Sequence, residues 1–167
     1  MTVRRMTRSV RPWAMMCGLV LASMAVAHAE NCPRLNAATA EGLLGGPVTM
    51  SVTHPSETAE SCVFARNGTG AFASLHIDVT TPGDAAAAFA TTAAQCGANP
   101  RKLTGVGNEA VGCTLSGATS TTEQVVGRVR GRIFVLRWIH VSNVPTSVEA
   151  RQEAFQGLAE AVAGSMF

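Results

Sequence analysis

"TTEQVVGRVRGRIFVLRWIHVS", residues 121–142, is the stretch on which the fold turns. Two arms of strand composition flank Arg130-Gly131, which reads as the tip of a hairpin. In the second arm Phe134, Leu136, Trp138 and His140 alternate with Ile133, Val135, Ile139 and Val141, so apolar residues occupy both parities. A strand with one wet face shows strict alternation; this one is expected near the middle of a sheet, covered at least partly on both sides.

Upstream lies "GVGNEAVGC", residues 105–113, whose first six residues fit the dinucleotide fingerprint G-x-G-x-x-A. That fingerprint needs a hydrophobic strand before it and a helix beginning inside it. Here "RKLT" precedes and the extended-looking "VGCTL" follows, so the stretch reads as a glycine-bearing turn leading into the strand that carries Cys113. Before it, "PGDAAAAFATTAAQCG", residues 82–97, reads as a helix close against a sheet, with Asp84 as N-cap and Gly97 as its stop.

Further back, "AFASLHIDVTT", residues 71–81, alternates Leu75, Ile77 and Val79 with Ser74, His76 and Asp78, predicting one buried and one wet face. Asn67-Gly68 separates it from "SCVFAR", residues 61–66, and signals a tight hairpin; the turn also accounts for the Asn67-Gly68-Thr69 sequon. "VTMSVTH", residues 48–54, is a strand and "PSETAE", residues 55–60, a polar loop. A short helix is expected between Asn36 and Gly45-Gly46-Pro47. Downstream, Thr146 and Glu149 suggest a capping box, and Val148, Phe155, Leu158, Val162 and Met166 form one apolar stripe. The order, helix, three strands, helix, three or four strands, helix, predicts a single α+β domain: a mainly antiparallel sheet with a short N-terminal helix, a middle helix and an amphipathic C-terminal helix. The two halves hint at a duplication, but no residue-level repeat supports it.

Residues 1–29 are set apart from this fold. "MTVRRMTRSVR" is a basic leader, "WAMMCGLVLASMAVA" an apolar run short for a membrane span, and Ala27-His28-Ala29 suits signal-peptidase cleavage before Glu30. Arg4-Arg5 raises twin-arginine export, but its flanks fit that pattern poorly, and neither Cys17 nor Cys32 has a lipobox. An exported, periplasmic or secreted chain over residues 30–167 is expected, with no stable membrane span after cleavage. Removing Arg4, Arg5, Arg8 and Arg11 takes the formal charge from +2 to −2, which gives no reason to expect a nucleic-acid partner.

Cys32, Cys62, Cys96 and Cys113 remain, an even number that reads as two disulfides in an oxidising compartment. Cys96 shares a helical face with Phe89, and Cys113 shares strand parity with Val111 and Leu115, so both are expected to point at one core. Cys32–Cys62 and Cys96–Cys113 are therefore the favoured pairs. The wide spacings and the lack of C-x-x-C argue against zinc. No metal or cofactor is expected.

The elements "CPRLNAATAEGLLGGPV", "CVF", "GVGNEAV", a basic hairpin before an apolar strand, and a terminal helix together resemble a broad group of uncharacterised bacterial exported and lipoprotein-like domains. The resemblance implies an α+β sandwich of the Mog1/PsbP kind and transfers no catalytic residue.

For function, no H-E-x-x-H, G-x-S-x-G, S-x-x-K or P-loop occurs. His76 and Asp78 share a wet strand face, which suggests a polar site or, less favourably, a hydrolase pair. His54 falls at a strand end and His140 on the face of Trp138. Arg128, Arg130 and Arg132 cluster at the hairpin tip and are candidates for contact with an anion or an acidic partner, or for protection of a sheet edge. The expectation is a non-enzymatic exported module that binds a protein or cell-envelope component, with a small-molecule carrier for an apolar or anionic ligand as the alternative.

Overall fold

β7 (Arg132–Val141) is the fourth of the seven strands among the described residues, and this is why its sequence is apolar on both parities. Phe134, Leu136, Trp138 and His140 are buried on one side of the sheet, and Ile133 and Val135 on the other. The computed structural model describes Cys32 and residues 34–66, 72–141 and 147–167; the proposed signal segment, the Asn67-Gly68 turn and Thr146 lie outside the described residues.

The elements are α1 (Ala37–Leu44), β1 (Val48–Ser56), β2 (Ala59–Arg66), β3 (Ala73–Thr80), α2 (Ala85–Ala93), β4 (Arg101–Leu103), β5 (Glu109–Ser116), β6 (Ser120–Val129), β7 and α3 (Val148–Gly164). The sheet order is β1-β2-β3-β7-β6-β5-β4, and every neighbouring pair is antiparallel. The single α+β domain, with its three helices in the expected places, is therefore observed. Two meanders meet where β3 pairs with β7. Their helices do not repeat the relation, since α1 and α3 share one side of the sheet and α2 lies on the other.

The main core lies under α1 and α3. It joins Cys62 and Phe64 of β2, Leu75, Ile77 and Val79 of β3, and Phe134, Leu136 and Trp138 of β7 to Leu44, Phe155, Leu158 and Val162 of the helices. Asn36 caps α1 by accepting from Thr39 N at 2.8 Å, and Gly45 ends it in the left-handed conformation at φ 75°. Asp84 caps α2 by accepting from the N–H groups of Ala86 and Ala87, both at 3.0 Å. A 3-10 turn, Ala94–Cys96, then leads to Gly97 at φ 75°.

Several local expectations are corrected. The "PSETAE" segment is mostly strand: β1 runs through Pro55 and Ser56, and β2 begins at Ala59, leaving only Glu57-Thr58 as a turn. Pro55 is tolerated because β1 is an edge strand whose pairing slips between Thr53 and Ser56, so no ladder bond is lost to the missing N–H. "RKL", to which no element was assigned from the sequence, is the short edge strand β4. The N-cap of α3 is Ser147, which accepts from Ala150 N at 3.2 Å, one position after Thr146. Val148 is exposed at the first position of α3, while Phe155, Leu158, Val162 and Met166 of the expected stripe are buried.

Both favoured disulfides are present, with Cα–Cα separations of 5.8 Å for Cys32–Cys62 and 5.5 Å for Cys96–Cys113. Cys96 and Cys113 do face each other as expected, but on the side of the sheet away from the main core. Cys62 belongs to the cluster beneath α1 and α3, whereas Cys113 shares the opposite side with Val111 and Leu115, where the bond ties the end of α2 to β5. The parity of Cys113 was readable; which parity is the core is decided by where the helices lie.

"GVGNEAVGC" is the turn from β4 into β5. Gly105 and Gly107 have φ of 80° and 62°. A Cβ on Gly107 would sit 2.6 Å from the Arg128 carbonyl oxygen, so only glycine lets this turn seat on β6. Asn108 fastens it further: its N–H donates to Arg128 O at 2.8 Å and its Oδ1 accepts from Arg130 N at 2.6 Å. That second bond helps hold Arg130 at φ 54° at the hairpin tip.

Candidate functional site

The side of the sheet opposite α1 and α3 is only partly roofed, because α2 packs on β6 and β7. Over β1, β2 and β3 the strands present Thr49, Ser51 and Thr53, then Ala65, Val63 and Ser61, then Ser74, His76 and Asp78 as aligned rows. Thr49, Ser51 and Thr53 are exposed, and Val63, Ser61, His76 and Asp78 are half-buried. The result is an open platform of short polar and apolar side chains. Phe72, 53% exposed, stands at its margin.

A hydrogen-bonded chain runs from the platform across β7 and β6 to the end of α2. Ser61 Oγ donates to Asp78 Oδ1 at 2.7 Å, and Arg137 Nη1 donates to Asp78 Oδ2 at 2.8 Å. Arg137 Nε donates to Gln124 Oε1 at 3.2 Å, and Gln124 Nε2 approaches Cys96 Sγ at 3.7 Å. Register explains the assembly: Ser61 faces Asp78 across β2 and β3, while His76, Arg137 and Gln124 lie in one row across β3, β7 and β6. The Asp78–Arg137 pair is about one-third exposed, so it orients the side chains more than it stabilises the fold.

His76 is a neighbour of Asp78 on this face, yet both carboxylate oxygens of Asp78 are engaged by Ser61 and Arg137. The His76 ring nitrogen Nε2 instead lies 3.2 Å from Ser74 Oγ. Ser74, expected to be wet, is buried. Burial holds the His76 pKa below the ordinary 6.5, with Asp78 raising it and Arg137 lowering it further. The folded state thus prefers neutral His76, and its contribution to stability is present above pH 6.5 and lost as pH falls through the depressed pKa. Urea titrations from neutral pH downward are expected to show a steeper loss of stability in the native chain than in His76→Gln. Identical slopes would remove His76 as the source.

The arginines of the hairpin do not converge. Arg128 pairs with Glu109. Arg130 lies 5.3 Å from the centroid of the Phe167 ring and donates from Nη1 to the Phe167 carbonyl at 3.0 Å. Arg132 lines a separate concavity with Arg34, His54, Glu57 and Glu60. The three side chains thus meet different partners. His140 is buried with Nδ1 near its neighbour's carbonyl, Val141 O, at 3.2 Å.

Arg137, Gln124 and Ser61 were not singled out from the sequence. An isolated arginine inside the apolar arm "IFVLRWIHV" was the available signal, since a buried-strand charge needs a partner. Among the described residues no group of three or more His, Cys, Asp or Glu side chains is arranged to hold a metal ion. No helix among them is long and apolar enough to cross a membrane. The chain matches no protein-family profile, no curated protein and no solved structure.

Proposed function

We propose that this protein is a non-enzymatic exported module that binds a protein or cell-envelope component through the open platform of β1, β2 and β3. One observation carries the reading: these strands bury their opposite side completely at Phe64, Leu75 and Ile77 yet leave Ser51 exposed and Val63 and His76 half-exposed on the other. A flat mixture of half-buried apolar groups and unroofed hydrogen-bonding groups suits a polar, modest-sized interface. The two disulfides and the leader-like residues 1–29 support the exported setting. Asp78 is occupied by Ser61 and Arg137, which favours recognition over hydrolysis.

Crosslinking the purified chain in an envelope extract tests this. The native chain is expected to capture a partner that Val63→Arg, placed in the centre of the platform, loses while keeping its unfolding midpoint. Equal capture by Val63→Arg, or none by the native chain, would defeat the proposal.

A further inference from the structure

On the other side of the sheet, beneath the first half of α3, Glu123 is 3% exposed. Its Oε2 accepts from Thr114 Oγ1 at 2.7 Å, while its Oε1 is buried and has no hydrogen-bond partner among the described residues. A buried carboxylate oxygen without a donor is costly, so a ligand that supplies one recovers a large interaction. Glu123 also lines a cavity of about 180 Å³ with Arg101, Gly112, Thr114, Gln152 and Phe155.

The register explains the cavity. Glu123 faces Thr114, and in the next row Gly112 lies between Val125 and Arg101, contributing no side chain to the floor. Arg101 and Gln152 also line an adjoining concavity, of about 530 Å³, with Glu149, Glu153 and Glu160 of α3. The two spaces therefore carry four carboxylates against one guanidinium, and none of those carboxylates forms a salt bridge with Arg101 among the described residues. The field favours cations, and the inner space admits only a slender one.

We infer that this is a binding site for an aliphatic diamine or polyamine. One ammonium donates to Glu123 in the inner cavity, the methylene chain passes Phe155 and the side-chain-free Gly112 beside Arg101, and a second ammonium lies among the carboxylates of α3. Arg101 stands between the two spaces as a like charge that sets a limit on affinity. The inference is independent of the platform, which lies on the opposite side of the sheet.

Isothermal titration of the purified chain with butane-1,4-diamine, n-butylamine, alanine and butyrate tests it. Saturable binding of the diamine is expected, about tenfold tighter than the monoamine because only the diamine reaches both charges. Alanine and butyrate are expected to be silent. Glu123→Gln should weaken the diamine about tenfold or more. Gly112→Ala should block it without upsetting the fold, because the added Cβ meets its nearest neighbour, Leu103 Cδ1, at an ordinary 3.5 Å. Arg101→Gln decides the sign: it should tighten the diamine by removing a like charge, whereas a zwitterion site would be abolished. Tighter binding of alanine than of the diamine, weaker diamine binding in Arg101→Gln, or no heat with any amine would overturn the inference. Unchanged diamine affinity in Glu123→Gln would do the same.

Discussion

Replacing Gly127 with alanine is expected to cost about 3 kcal/mol, the upper end for overpacking a core by one carbon. Gly127 lies opposite Phe134 in the β6–β7 register, and the phenylalanine ring covers it. A Cβ there would stand 2.2 Å from Phe134 Cζ and 2.3 Å from Cε1. The ring cannot step aside cheaply, because Phe134 is fully buried on the central strand with Val79 on its other flank. Urea unfolding of Gly127→Ala, with Gly131→Ala as control, measures the cost; nothing lies within 4 Å of a Cβ at Gly131. Phe134→Leu should recover part of the loss in the double variant, because the two changes share one space. A cost below about 1 kcal/mol for Gly127→Ala, or simple additivity with Phe134→Leu, would contradict this account of the core.

The second large effect is expected at Cys32–Cys62. Its separation of 30 residues corresponds to about 3.6 kcal/mol of loop-closure entropy, against about 3.1 kcal/mol for the separation of 17 residues at Cys96–Cys113. Location widens the difference. Cys32 and Cys62 are both buried in the main core, where the bond secures the entry segment beneath α1, while Cys113 is only half-buried. Cys32→Ala/Cys62→Ala should therefore lower the thermal midpoint by on the order of 10 °C, and Cys96→Ala/Cys113→Ala by less. Calorimetry of the two double variants compares them directly; the reverse order would show that the Cys96–Cys113 bond carries more of the stability.

The elements themselves were legible because their signals are local. Asn36 and Asp84 have short oxygen-bearing side chains that satisfy nearby helix N–H groups, and each is the N-cap found. Arg130-Gly131 lies between two strand-like arms and is the hairpin tip. The errors also have local causes. Pro55 reads as a breaker until the edge position of β1 is known, and Thr146 is as good a cap in composition as Ser147, so only the path of α3 distinguishes them.

The candidate site was half legible. His76 and Asp78 were singled out by alternation on β3, but their partners Arg137, Gln124 and Ser61 come from three other strands. Pairing of β3 with β7 joins residues 59 positions apart at Asp78 and Arg137. Glu123 shows the same limit: beside Gln124 it reads as an ordinary polar residue of an exposed strand, and its burial follows from α3 closing over β6.

By itself the sequence determined what depends on neighbours along the chain: the helices and the caps Asn36 and Asp84, the hairpin at Arg130-Gly131, the two-sided character of β7, and four cysteines available for two bonds. Tertiary structure alone decided which parity of β5 and β7 faces the main core. Where both parities carry apolar residues, alternation does not name the core face, and the choice is made when α1 and α3 cover one side while α2 covers only part of the other. That asymmetric covering buries Glu123 with an unsatisfied oxygen on one face and leaves His76 and Ser51 open on the other.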